Sequence, residues 1–344
     1  MFSKTCSGLA AICIASVCSN GFAATSSTVS PSDGGHASIA DPQSVLGNET
    51  CVKCHASEIQ VWKQTPHSKT FEELHRRPEA KKIAAKLGLN SIKSEGRCVA
   101  CHYTQKAEAG ANPHVIAGVS CESCHGAAKN WLDLHHDYGG EGITRLTETP
   151  EHRVARISKS VAAGMRNPSN VYSVAQSCLR CHTTADEELV NVGGHTPGSL
   201  EFEFVSWSQG MVRHNFVRTD GKANEASSPE RVRVMFVAGM VAELEASMRA
   251  TAKATQKATY GVTAAKRAAR AGARIKSVAQ KVDSPTLDKI VRVFESVTLK
   301  LNNADQLSTA ADQVATLGYE FASSTDGSTL GALDSFVPKS DRFK

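Results

Sequence analysis

Eight cysteines and four histidines of the 344-residue chain fall into one pattern repeated four times. The copies are Cys51-Val-Lys-Cys54-His55, Cys98-Val-Ala-Cys101-His102, Cys121-Glu-Ser-Cys124-His125 and Cys178-Leu-Arg-Cys181-His182. In each, two thiols three positions apart are followed at once by an imidazole, the spacing of a c-type haem attachment site. Two such thiols can add to the two vinyl groups on one edge of a porphyrin. The adjacent histidine is then held where it can bind the iron axially. Four copies imply four covalently attached haem c groups.

Two other chemistries use paired cysteines. Four C-x-x-C pairs could make two Cys₄ zinc centres or a disulfide framework. Neither has a reason to place a histidine after the second cysteine every time. Of eleven cysteines, Cys6, Cys13 and Cys18 fall in an N-terminal leader, and the motifs use all the rest.

An iron held on one face needs a second ligand or an open position on the other. His67 opens a short segment after Pro66, too near His55 to serve the same iron, and so would serve another haem unless it is a surface histidine. His135, in Leu134-His135-His136, is a further candidate, and His114 reads as solvated. His195 stands in Gly193-Gly194-His195-Thr196-Pro197-Gly198, a turn that lets backbone approach a flat ligand; it is either a distal ligand or a plain turn histidine. Trp207, Met211 and His214 make a helical face that could press on a haem. His152 and Met165 have no assigned role.

The elements that must position these residues are helical. Residues 55–74 read as two helical segments split at Pro66, and 79–93 as a basic amphipathic helix, while 103–118 reads as a loop. From Pro229 the character changes. Val232, Phe236, Met240, Leu244 and Met248 recur every fourth residue, predicting an amphipathic helix capped by Ser228 that ends at Gly261. Helices over 263–282, 285–301 and 305–321 should follow. The fold class is therefore mainly α, a multihaem domain with little regular structure around stacked haems, followed by an α-helical C-terminal domain. The expected divisions are a signal peptide at 1–23, a flexible linker at 24–46, a tetrahaem domain at 47–220, a helical domain at 229–325 and a flexible tail at 326–344.

Composition agrees. Aromatic residues are only 6% of the chain, low for a core of this size, and four macrocycles would supply the missing apolar area. The N-terminal pattern of Lys4, an apolar run from Gly8 to Val17 and Gly21-Phe22-Ala23 reads as a secretory leader, and no stretch is long and apolar enough to span a bilayer. Haem attachment outside the cytoplasm agrees with export, so a periplasmic or cell-surface location is expected. The formal charge is +5, which about eight haem propionates would turn slightly negative. Between Arg249 and Lys281 stand nine basic residues and no acidic one. In an exported protein this reads as a solvated basic face, with contact to an acidic partner or a membrane surface next, rather than nucleic-acid binding.

From Cys51 to about His214 the chain resembles the tetrahaem cytochrome c-554 family. The stretches that carry this are the first motif with Trp62-Lys63-Gln64-Thr65-Pro66-His67-Ser68-Lys69, Gly118-Val119-Ser120 leading into the third motif and Gly126 after it, and His135 ten residues on. The family's founding member carries electrons away from hydroxylamine oxidoreductase in ammonia-oxidising bacteria. The resemblance implies the ligand pairs His55 with His135, His125 with His67 and His182 with His214. It leaves the His102 iron five-coordinate unless His195 closes the site. The long helical tail departs from the founding member and suggests an oligomer interface. An electron carrier working between redox partner proteins is the leading expectation. The rivals are an oxidoreductase acting on a small nitrogen or sulfur species at an open His102 haem, and a polymerising conductive cytochrome.

Overall fold

The computed structural model describes Met1 and residues 40–344. The expected signal peptide, apart from Met1, and most of the expected linker lie outside the described residues. Sixteen regular elements follow one another: α1 Asn48–Val52, α2 Ala56–Gln64, α3 Pro66–Glu73, α4 Pro78–Lys86, α5 Gly96–His102, β1 Thr104–Lys106, β2 His114–Ala117, α6 Cys121–His125, α7 Pro150–Ala162, α8 Val171–His182, α9 Glu187–Asn191, α10 Phe204–Ser208, α11 Pro229–Ala252, α12 Thr259–Ala279, α13 Pro285–Glu295 and α14 Ala304–Ser324.

Helix starts follow local chemistry. α3, α7, α11 and α13 each begin with a Ser or Thr that accepts a backbone N–H from the first turn, followed by Pro at the first helical position. Proline has no N–H to leave unsatisfied there, and its φ is already helical. Asn170 caps α8 by accepting from Tyr172 and Ser173, and Asp186 caps α9.

Helix ends follow tertiary contacts instead. α4 stops at Lys86, short of the expected 93, where Gly88 takes a left-handed φ of 66°. α11 stops at Ala252, and Gly261 lies inside α12 rather than terminating a longer helix. The cause is Glu187, distant in sequence, whose carboxylate accepts from the Thr255 and Gln256 backbone N–H groups at 3.0 and 3.1 Å and from the Thr255 hydroxyl at 2.6 Å. The expected loop at 103–118 contains an antiparallel pair, β1 with β2, in the register Thr104↔Ala117 and Lys106↔His114.

The main core surrounds α11, which is buried on every side from Val234 to Thr251 except at Ala246 and so is not the one-sided helix its four-residue repeat predicts. Helices α8, α10, α12 and α14 pack on it. Tyr172 and Leu179 of the haem-motif helix α8 share this core with Leu244, Met248, Ile275 and Leu307. Each such fully buried aliphatic side chain contributes about 1.5–3 kcal/mol by leaving water. The fourth motif is thus braced by the C-terminal helices. The expected flexible tail packs as well. Leu330 and Leu333 are 1% and 0% exposed, and the Lys344 N–H reaches the Ser206 carbonyl at 2.9 Å. No helix among the described residues is long and apolar enough to cross a membrane.

Candidate haem centres

Each motif is wound into a turn of helix. α5, α6 and α8 contain the second, third and fourth whole, each ending on its histidine. The first starts at the end of α1, and the His55 N–H continues the turn by bonding the Cys51 carbonyl at 2.9 Å. Residues i, i+3 and i+4 of a helical turn lie on one face, so both thiols and the imidazole of each motif point the same way.

Opposite each motif histidine stands another histidine at nearly constant distance. Ring centres are 6.3 Å apart for His55 with His135, and 6.2 Å for His67 with His182, His102 with His195 and His125 with His214. Two metal–imidazole bonds of about 2 Å, plus the reach of each ring from bonding nitrogen to centre, add up to roughly 6 Å. Four pairs at one spacing therefore fit an iron between each. Two pairs correct the assignment implied by resemblance. His67 faces His182 rather than His125, and His214 faces His125 rather than His182. The reason is the path of α3. Its His67 carbonyl accepts from the Val119 N–H at 3.1 Å, and its Thr70 hydroxyl reaches the His102 carbonyl at 2.8 Å. These bonds tie α3 to the second motif and to the approach to the third, and the His67 ring itself meets His182 of the fourth. Gly118 permits the approach, since a Cβ there would lie 2.4 Å from the His67 carbonyl oxygen.

The other histidines play different parts. His114 is exposed on β2, His136 is exposed beside His135, and His152 binds the Glu148 carboxylate at 2.7 Å. The turn at 193–198 brings His195 opposite His102. Gly198, at φ 98°, lets the chain press on the fourth motif, and the Ser199 N–H bonds the His182 carbonyl at 3.0 Å. The His182 ring stacks on Phe202 at 4.5 Å with Trp207 at 5.5 Å, while Met211 is 45% exposed.

The electrostatics suit metal binding. Burial pushes the imidazoles of His102, His125 and His182 down to about 4 and lowers those of His67 and His135, which keeps them neutral with a lone pair free for iron. His55 moves upward because it is bonded to the Glu58 carboxylate. The eight described cysteines form no disulfide, and no cluster of three or more metal-binding side chains exists among the described residues.

Motifs also adjoin one another. Helices α5 and α6, which carry the second and third motifs, both pack on α8, which carries the fourth.

Residues 50–126, which hold three of the four motifs, match the model of the family described as cytochrome c554 and c-prime. This segment is thus similar to the cytochrome c554 family, and that similarity implies covalently bound haem c as the cofactor. The chain is also 32% identical over 154 residues to cytochrome c-554 of Nitrosomonas europaea, a match spanning 42% of this chain and 60% of that protein. No solved structure matches the chain.

Sequence reasoning missed several residues that shape these centres. Glu122, inside the third motif and 1% exposed, accepts from the backbone N–H groups of Leu46, Gly47 and Ala128 at 2.9, 2.8 and 2.8 Å. It ties the approach to α1 onto α6. Arg156 donates to the His135 carbonyl at 2.5 Å and is itself held by Glu148 at 2.6 Å. Arg267 of α12 donates to the His182 carbonyl at 2.9 Å. The basic run is mostly exposed, as expected, with Arg249 and Arg267 turned inward. Five of its nine cations, Arg249, Arg267, Arg270, Arg274 and Lys276, form ion pairs with carboxylates.

Proposed function

We propose that the chain is a periplasmic tetrahaem c-type cytochrome that carries electrons between redox partner proteins. The observation that carries this reading is the set of four histidine pairs at one iron-sized spacing, each with one member in a CxxCH motif. Cys51 and Cys54 with His55 and His135 would hold the first haem. Cys98 and Cys101 with His102 and His195 would hold the second. The third falls to Cys121 and Cys124 with His125 and His214, and the fourth to Cys178 and Cys181 with His182 and His67. When bound, haem iron supplies a reversible one-electron couple, and two imidazole ligands favour low potentials compared with a methionine–histidine pair.

The protein's own contribution is to hold the motifs in contact and keep substrates out. The packing of α6 and α5 on α8, with Glu122 of the third motif bonding the approach to the first, supports an order first, third, fourth, second in which neighbouring attachment sites adjoin. His195 opposite His102 supports a filled coordination shell at the second motif, where an enzyme would need an open one. Export is supported by the leader-like N-terminal pattern and by the chemistry of haem attachment.

The test is carbon monoxide binding to the dithionite-reduced holoprotein. A carrier with four filled shells keeps its Soret spectrum under carbon monoxide. Rapid binding at one haem in four would refute the reading and favour a reaction at an open iron.

A further inference from the structure

The second ring nitrogens of the eight histidines, those turned away from the four gaps, meet unequal surroundings. At the first motif, His55 Nδ1 has the Glu58 carboxylate 3.5 Å away, with that side chain only 13% exposed, and His135 Nδ1 donates to the Leu132 carbonyl. Glu58 also acts electrostatically on His214 of the third pair. There His125 Nδ1 meets the Arg166 carbonyl at 3.2 Å and His214 Nδ1 the Val212 carbonyl at 2.6 Å. At the second motif only His195 is so engaged, with the Thr196 carbonyl at 2.7 Å.

The fourth pair differs. Neither His67 nor His182 has an Nδ1 acceptor among the described residues. Its surroundings carry an excess of cations instead, whereas Arg156 on the His135 carbonyl of the first pair is matched by Glu148. Arg267, whose side chain is 2% exposed, bonds the His182 carbonyl and the Glu243 carboxylate, and Arg270 and Arg274 share that same carboxylate at 3.3 and 3.4 Å. Three guanidiniums against one carboxylate leave a net positive charge beside this motif.

An acceptor on the far nitrogen makes a ligating imidazole a stronger donor, and an anionic acceptor does so most. Stronger donation favours ferric iron and lowers its potential. Nearby positive charge disfavours ferric iron and raises it.

We propose that Glu58 and the Arg267–Glu243 cluster grade the four centres, so that the His55–His135 iron has the lowest reduction potential and the His67–His182 iron the highest. Electrons entering at the first motif then run downhill through the third to the fourth. This inference rests on the reading of four bis-histidine haems.

The experiment is a spectropotentiometric titration of the purified holoprotein, with low-spin EPR signals recorded at each potential. His67→Ala identifies the fourth centre, because its iron loses a ligand, and that centre should be the first to reduce in the unsubstituted protein. Glu58→Gln should raise the lowest midpoint by a roughly tenfold change in its reduction constant, about 59 mV, and leave the highest where it was. Arg267→Gln should lower the highest midpoint. Should that buried change prevent folding, Arg270→Gln, at a half-exposed side chain, should lower it by less. An unmoved lowest midpoint in Glu58→Gln, or a fourth centre that is not the first to reduce, overturns the inference. Finding four low-spin haems in the same sample keeps the underlying reading intact in that case, whereas finding fewer brings down the reading itself.

Discussion

Glu122 offers the sharpest test of how the protein presses one haem motif against another. Its Oε1 accepts from two backbone donors, Leu46 at 2.9 Å and Ala128 at 2.8 Å, and its Oε2 accepts from Gly47 at 2.8 Å. Replacing it with glutamine keeps an oxygen for the two-donor side but turns an amide N–H₂ toward the Gly47 N–H. One buried donor loses its acceptor, which costs about 1–3 kcal/mol. Replacing it with alanine strips all three donors. With Leu46 partly hydrated, the sum is about 3–6 kcal/mol by the same measure. The assay is guanidinium denaturation of the holoprotein, followed by far-UV circular dichroism and by the Soret band. The two substitutions should lower stability in that order. The Soret change should lead, because the bonds hold Leu46–Gly47, and with it the α1 turn bearing Cys51, against Cys121. If glutamine matches glutamate and alanine costs under about 1 kcal/mol, Glu122 does not hold these motifs together.

Three further outcomes are expected. His214→Ala should convert one iron in four to a high-spin form by EPR, and the affected centre should be the third, not the fourth as resemblance implied; removing haem three by Cys121→Ser and Cys124→Ser should abolish the effect of the alanine. The Arg156 guanidinium, and then His152, hold the Glu148 carboxylate down to about 2 from an ordinary 4.5. A depressed acid contributes stability above its unfolded value and loses it as pH falls toward the folded one. The bond from Arg156 to the His135 carbonyl should therefore weaken between pH 4.5 and 2, seen as a spectral change at the first haem during acid titration. Glu148→Gln should lack that transition. Leu244→Ala, at a residue 0% exposed in the middle of α11, should cost about 2–5 kcal/mol in chemical denaturation, and less than 1 kcal/mol would show that this core collapses around the gap.

The chemistry of the attachment motifs was legible because it is local. Five consecutive residues contain both thiols and the ligand, and any helical turn aligns them. Candidate distal histidines were legible as types, His67, His135, His195 and His214, but not wholly as pairs. Which motif His67 faces depends on the bonds α3 makes with Val119 and His102, both far from it in sequence. The same divide runs through the fold. Helix starts at Pro66, Pro150, Pro229 and Pro285 carry their caps in adjacent residues. The end of α11 is written in Glu187, more than sixty positions away. Glu58 could have been found, since i and i+3 on a helix are neighbours. Arg267 could not, because nothing local marks one arginine in a basic run as the one that turns inward to His182.

The EPR spectrum of the purified, fully oxidised protein, integrated against its protein concentration, tests the four bis-histidine centres most directly. Four low-spin ferric irons per chain and no high-spin signal are expected, one for each histidine pair. A high-spin signal amounting to one iron or more, or a preparation without haem, would contradict that ligation.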